Sequence, residues 1–279
     1  MSSHAFSTID VSTTQGVCTI TLNRPEVRNA MSLTMVRELM GALHHAESTS
    51  DVRAIVLRGA GGHFCAGGDI ADMAQARMKL ASQSQATDSD PVADPVADFN
   101  AQFGHLCLAY ARTHLPVVTV LEGTVMGGGF GLACVSDVSL ALSNTVFRLP
   151  ETSLGVIPAQ IAPFLVERLG YSQAKRLAVT GAKVHAEQAM ELALVHEVLP
   201  NADALNDALA RTLSQILACA PGAIGVTKDL MARARFTPAE HLITDAARLF
   251  SRAVLSEEGQ EGTSAFMQKR APSWVPQEN

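Results

Sequence analysis

The run from Val120 to Val135, V-L-E-G-T-V-M-G-G-G-F-G-L-A-C-V, restricts the fold more than any other part of the chain. The apolar, β-branched residues Val117 to Leu121 have the composition of a buried strand. The triplet Gly127-Gly128-Gly129 follows, and an apolar helical stretch is expected from Phe130. A strand, a glycine turn and a helix start in that order leave backbone N–H groups facing outward, and the helix dipole adds partial positive charge. Glycines without Cβ atoms let a ligand approach the main chain closely. Such a place stabilises an anion, either a phosphate or an enolate. A phosphate loop carries Lys and then Ser or Thr after its glycines, whereas Phe130 and Gly131 stand here. The same residues also read as a packing turn between strand and helix, and taken alone they do not separate the two.

A second turn of this kind lies upstream. Val17 to Leu22 alternates as a strand does, Asn23-Arg24-Pro25-Glu26 is a turn, and Ser32 is placed to cap a helix running to about Glu47. Val52 to Leu57 is another apolar strand. Strand, helix and strand predict a right-handed parallel unit. Its second strand runs into G-A-G-G-H-F-C-A-G-G-D-I at 59–70, with a helix expected from Asp69. The glycines do not follow the dinucleotide spacing, so no nicotinamide site is read. Parallel strands end at one edge of a sheet, where ligands bind. If both turns meet there, one N–H from each can hold the same carbonyl oxygen, forming an oxyanion hole.

Composition narrows the classes. A chain of 279 residues suits one core domain with a helical appendage. A net charge of -6 without a basic cluster argues against a nucleic-acid surface. Cys18, Cys65, Cys107, Cys134 and Cys219 form no C-x-x-C pair and sit mostly in apolar runs, as reduced core cysteines of a cytoplasmic protein do. His44, His45, His105, His114 and His196 show no metal spacing, and Ser136-Asp137 is not in a G-x-S-x-G setting. Neither a secretion signal nor a bilayer-spanning run is read, and neither metal nor redox cofactor is expected.

R-P-E-V-R-N-A at 24–30, F-C-A-G-G-D-I at 64–70, G-T-V-M-G-G-G-F-G-L-A at 123–133, L-P-E-T-S-L-G-V-I-P at 149–158 and E-G-T-S-A-F-M-Q-K-R at 261–270 together resemble the crotonase superfamily, the enoyl-CoA hydratase/isomerase family, in the same order. The resemblance implies an α/β spiral of ββα units over residues 1–200 and a helical trimerisation region over 201–279, in trimers or hexamers. It implies that the Ala66 and Gly128 N–H groups hold an acyl-CoA thioester oxygen. It further implies substrate contacts at Arg28, Ala30, Gly68, Asp69, Ile70, Gly131, Gln160, Phe266 and Lys269. Phe266 and Lys269 would reach CoA, often across a subunit boundary, and Arg28 would meet its phosphates.

Hydratases of this family typically use two glutamates. The position of the first is Gly131, and the second is Glu151, whose apolar neighbours Leu149 and Leu154 imply partial burial and a raised pKa suited to proton transfer. One carboxylate permits either hydration, with water held by some other group, or transfer of a proton from C4 to C2 as an isomerase does; a non-catalytic CoA-binding protein is the third alternative. Gly131 together with V-I-P-A-Q-I-A-P-F at 156–164 resembles the isohexenylglutaconyl-CoA hydratases of acyclic terpene catabolism. That substrate carries its own carboxylate, which a second glutamate at about 4 Å would repel by roughly 4 kcal/mol at an effective dielectric near 20. On this reading Gly131 removes the charge and opens space, and the substrate carboxylate or Gln160 holds the water; Gln160 equally reads as a helix-start residue bonded to backbone. His63 and Arg148 are lesser candidates for substrate contact, or simply a solvated histidine and a surface ion pair. Ser82 to Asp98, with D-P-V-A-D-P-V-A-D, reads as a mobile acidic insertion, either a lid over a bulky acyl group or a tolerated surface loop, before a helix from Phe99 to Arg112. In the last third, Leu205, Leu209, Leu213, Ile216 and Leu217 share one face of an amphipathic helix, and the helices after it expose more apolar surface than one chain can cover.

Overall fold

The computed structural model describes residues 6–83 and 94–276. Among these, six strands build the main sheet in the order β1 (Ile9–Thr14), β2 (Val17–Leu22), β3 (Ala54–Gly59), β4 (Val117–Leu121), β6 (Val138–Leu142) and β9 (Glu197–Leu199). Three short strands, β5 (Thr124–Met126), β7 (Val146–Arg148) and β8 (Lys183–His185), build a second sheet in that order. In the main sheet only β1 runs antiparallel to its neighbour. The expected unit is present: β2, helix α1 (Leu33–Ser48) and β3 follow one another, and β2 and β3 are parallel. The Ser32 hydroxyl accepts the Met35 N–H at 3.2 Å, capping α1 as its sequence position predicts.

The chain advances by a repeated step. β4, β5 and helix α4 (Gly128–Val135) form one unit, and β6, β7 and helix α5 (Ala162–Thr180) form the next. Each sends one strand to each sheet and then a helix. β3 and helix α2 (Ile70–Gln83) frame a third unit, in which Cys65 bridges to Val125 where a short strand would lie. This is the ββα spiral that the motifs imply.

The strands owe their burial to residues that alternate between two cores. Ile55, Leu57, Val117 and Leu121 face a core closed by α1, α4, α5 and helix α3 (Pro95–Arg112). Val56, Val118, Val120 and Leu140 face the other side, where helix α7 (Ala202–Ala218) supplies buried Leu205 and Ala208, with Leu209, Leu213 and Ile216 packed around them. The apolar stripe of α7 is therefore core. Helices α6 (Ala186–Glu191), α8 (Pro221–Ala234), α9 (Ala239–Leu255) and α10 (Glu257–Gln268) complete the described chain. Among the described residues, α8 and α9 bury no side chain fully, and no single helix is long and apolar enough to cross a membrane.

Several boundaries depart from expectation for local reasons. The strand expected at 52–57 is Ala54–Gly59, because Val52 closes a turn onto the Thr49 carbonyl at 3.0 Å. The strand that enters the triple glycine is β5, not β4. Helix α4 starts at Gly128 rather than Phe130, since the Gly131 N–H donates to the Gly127 carbonyl at 3.0 Å and draws the glycines into the first turn. Helix α3 starts at Pro95 rather than Phe99: the Asp94 carboxylate accepts the Val96 and Ala97 N–H groups at 2.9 and 3.0 Å, and proline suits the first helical position. Residues 95–98 are thus helix, not loop, and α2 occupies the other end to Gln83, while 84–93 of the expected insertion lie outside the described residues. Helix α5 is a single element bent where Gly170 has φ 72 and ψ 154.

Candidate active site

The two glycine turns are stitched together by main-chain bonds. Cys65 donates to the Thr124 carbonyl at 3.0 Å, and Met126 donates back to the Cys65 carbonyl at 2.9 Å. The chain then turns sharply on both sides. Gly127 has φ 48 and ψ -115, and Gly67 has φ 99, conformations that favour glycine. A Cβ on Gly127 would stand 3.4 Å from Gly67 Cα, so the backbones touch. His63 belongs to this stitching, since its Nδ1 accepts the Thr124 N–H at 3.1 Å, and it is not a free substrate contact. Cys65, wholly buried between the turns, has its thiol pushed up to about 11 by desolvation, which removes it as a nucleophile near neutral pH.

The donors of the hole differ from those expected. The Ala66 N–H is already given to the Arg28 carbonyl at 2.9 Å. The next N–H on the exposed side of the turn belongs to Gly68. Met31 and Asp69 carry the pairing around it, with Met31 N–H on the Gly67 carbonyl at 2.7 Å and Asp69 N–H on the Met31 carbonyl at 3.0 Å. Among the described residues the Gly68 and Gly128 N–H groups have no acceptor. One lies just past Gly67 and the other just past Gly127, so the free pair is Gly68 and Gly128, and Ala66 is corrected to a structural position. No local pattern signals this, because a one-residue difference in a glycine turn is set by which carbonyl faces it.

Strand β7 delivers the acid. It pairs parallel to β5, with Met126 opposite Arg148, and the Gly127 N–H donates to the Arg148 carbonyl at 3.2 Å. Leu149 is buried, Pro150 precedes a single 3-10 turn, Glu151–Leu154, and the Glu151 carboxylate falls beside the glycines. Its Oε1 lies 3.1 Å from where a Gly127 Cβ would stand. Its Oε2 is buried with no hydrogen-bond partner among the described residues. Burial pushes the carboxyl above its ordinary range, and an interaction with its own N–H only partly offsets this. An unpartnered acid beside two free N–H donors can exchange a proton with whatever the donors hold.

The opposite side of α4 is apolar. A Cβ on Gly131 would come within 2.3 Å of Ile161 Cγ2 and 3.6 Å of Phe103, and one on Gly128 within 3.1 Å of the Phe103 ring. The space that the missing acid was expected to leave open is therefore filled. Gln160 is not bonded to backbone as a helix-start residue would be: its Nε2 donates to Asn100 Oδ1 at 2.7 Å. Phe103 and Ile161 were not foreseen as wall residues. Gly104, a glycine inside helix α3, was the available hint that a neighbour presses on that helix.

The 24–31 segment supports the first glycine turn. The Arg24 guanidinium donates to the Ala30 carbonyl and pairs with Asp69, both at 2.7 Å. Asn29, fully buried, donates to the Ala60 and His63 carbonyls at 2.9 and 2.7 Å. Asp69 also accepts the Ala71 N–H at 2.9 Å. Burial alone would raise its pKa, but the Arg24 and Ala71 hydrogen bonds outweigh this and hold it below its ordinary value. Asp69 thus clamps the 24–31 segment to the first glycine turn. Arg148 donates to the Gly181 carbonyl at 2.9 Å, at the end of α5. Arg28 and Ile70 are exposed at the rim. Phe266, 85% exposed, and Lys269, at the end of α10, make no described hydrogen bond or ion pair with the two glycine turns. Among the described residues no three His, Cys, Asp or Glu side chains gather as a metal site requires.

Comparison with known proteins agrees with this fold. The profile of the enoyl-CoA hydratase/isomerase family matches residues 12–277. A probable enoyl-CoA hydratase, echA8, of Mycobacterium bovis is 33% identical over 273 residues, covering 97% of this chain and 98% of that protein. The 2,3-dehydroadipyl-CoA hydratase of Escherichia coli is 29% identical over 269 residues, covering 96% and 98%. Among solved structures, Pseudomonas aeruginosa AtuE superposes with a TM-score of 0.90 at 48% identity, covering 97% of this chain and all of that one. An enoyl-CoA hydratase/isomerase from Marinobacter aquaeolei gives 0.90 at 46% identity, covering 96% and 99%.

Proposed function

The chain belongs to the enoyl-CoA hydratase/isomerase family, and from that premise we propose that it adds water across the 2,3 double bond of a branched, carboxylated 2-enoyl-CoA such as isohexenylglutaconyl-CoA. It is an enzyme of the enoyl-CoA hydratase type. In the proposed step the thioester oxygen accepts the Gly68 and Gly128 N–H groups, which stabilise the enolate as water oxygen bonds to C3. Glu151 gives its proton to C2, and the proton lost by water restores the acid. Preorganised donors of this kind are worth about 2.7–4 kcal/mol each. The observation that carries the reading is the buried, unpartnered Glu151 oxygen beside the two turns.

The carboxylated substrate is supported by three points. No acid stands at Gly131, Gln160 is engaged by Asn100, and a relative's name denotes a 2-enoyl-CoA with a second carboxylate. The substrate's own carboxylate then holds the water. The apolar wall of Phe103 and Ile161 favours a second reading, a Δ3,Δ2-enoyl-CoA isomerase in which Glu151 alone carries the proton from C4 to C2. We further propose that α8–α10 form a trimer contact, since Phe236, Ile243, Phe250 and Leu255 are exposed there, and that assembly brings Phe266 and Lys269 to a CoA.

Incubation with crotonyl-CoA, isohexenylglutaconyl-CoA and a 3-enoyl-CoA, with products identified by mass, tests the choice. A product heavier by one water from the carboxylated substrate supports hydration. Isomerised 3-enoyl-CoA without hydrate transfers the assignment to the isomerase.

A further inference from the structure

Three side chains press on three glycines over one small area. Phe103 lies over Gly128, Ile161 over Gly131, and Gln160 over Gly104. The last contact is the closest: a Cβ on Gly104 would come within 2.1 Å of Gln160 Oε1 and 2.8 Å of its Cδ. The Gln160 carboxamide thus lies flat on the α3 backbone, in room that exists because residue 104 lacks a side chain. Its Nε2 then bonds Asn100, one helical turn before Gly104, at 2.7 Å. A glycine inside a helix costs about 1 kcal/mol relative to alanine, so its presence here calls for a packing reason. Phe103 lies between these two anchor points, next to Gly104, and Ile161 is the residue after Gln160. Whatever fixes Gln160 on α3 fixes Phe103 and Ile161 against the first turn of α4.

We propose that Asn100, Gly104 and Gln160 form a latch that determines acyl specificity, by holding Phe103 and Ile161 as a closed apolar wall over the Gly128 and Gly131 backbone. This rests on the enoyl-CoA reading above and deepens it. The wall stands at the donor end of the site, so it meets the first carbons of the acyl chain rather than its tail. A hydrocarbon branch at C3 fits against it, whereas a carboxylate against Phe103 and Ile161 would lose water with nothing to replace it, so the carboxylated arm of the proposed substrate lies away from this wall. Asn100 and Gln160 are positioning residues; neither needs to touch substrate.

The test compares kcat/KM for crotonyl-CoA and for a 3-branched enoyl-CoA across Gln160→Ala, Asn100→Leu and Asn100→Asp. Loss of the latch in the first two is expected to change the ratio between the substrates by about tenfold or more. Asn100→Asp keeps an acceptor for Gln160 Nε2 and is expected to retain the wild-type ratio. Hydrogen exchange of the amides at 100–107 is expected to rise in Gln160→Ala and Asn100→Leu and not in Asn100→Asp. An unchanged ratio in active Gln160→Ala and Asn100→Leu enzymes overturns the latch and leaves the enoyl-CoA reading intact. A wild-type enzyme inactive on every enoyl-CoA overturns both, and unchanged exchange at 100–107 overturns the latch independently of activity.

Discussion

The two sides of α4's first turn differ in kind. On one, Glu151 presents an oxygen with no partner among the described residues, in a site that raises its pKa. On the other, Ile161 and Phe103 leave no room for even one carbon at Gly131. A site that used two acids would keep both sides polar and open. Here a single buried carboxylate stands on one side and apolar packing closes the facing side. This changes the meaning of Gly131. Sequence reasoning treats the missing glutamate as a vacancy, whereas the packing shows a position closed by its neighbours.

The strongest way to break this contrast is Glu151→Gln. Removal of a positioned acid is expected to lower kcat by about 10²–10⁴-fold, with circular dichroism unchanged. Near-normal turnover would move the proton chemistry elsewhere. The pH profile of the wild type sharpens the same side. If Glu151 acts as the acid of hydration, kcat/KM falls as pH rises through a pKa above the ordinary carboxylate range; if it is the base of an isomerase, kcat/KM rises through that same value.

The apolar side is tested by Gly131→Ala. Overpacking against Ile161 is expected to cost about 1–3 kcal/mol in denaturant unfolding, and Gly131→Glu is expected to lose stability rather than gain turnover. Adding Ile161→Ala to Gly131→Ala should recover part of the loss, and strict additivity would show that the two sites do not press on each other. The support beneath the first turn gives a comparable or smaller effect. Arg24→Ala removes charged hydrogen bonds to Asp69 and Ala30 and is expected to cost about 1.5–3 kcal/mol, read as a lowered Tm.

The smallest expected effect concerns stability and pH. The folded pKa of Glu151 lies above its unfolded value, so the folded state binds the proton more tightly. Its contribution is complete below the ordinary carboxylate pKa and is lost as pH rises through the raised one. Glu151→Gln should therefore match the wild type in acid and be slightly more stable at neutral pH. A variant less stable at neutral pH would reveal a bonded, structural glutamate.

Much of the frame was legible from local patterns. The bounds of β2 and β4 and the Ser32 cap follow from apolar patterning and capping chemistry. Glu151 was found through its motif and its apolar neighbours. Less was legible where two distant segments meet. Asp69 and Arg148 look like free charges in sequence, and only folding gives them Arg24 and the Gly181 carbonyl. The choice of Gly68 over Ala66 depends on the Arg28 carbonyl, 38 residues upstream of Ala66 along the chain, which takes one N–H and not the other.

The sequence by itself determined the periodic elements, the two glycine turns and the acid placed after β7, since each is a property of a short run of residues. Tertiary structure alone decided which amides stay free, what closes Gly131 and where Gln160 spends its hydrogen bond. These depend on contacts such as Asn100 with Gln160, 60 residues apart. Satisfying a polar group, or filling the space beside a glycine, is a competition among everything the fold brings near, and no local pattern records its outcome.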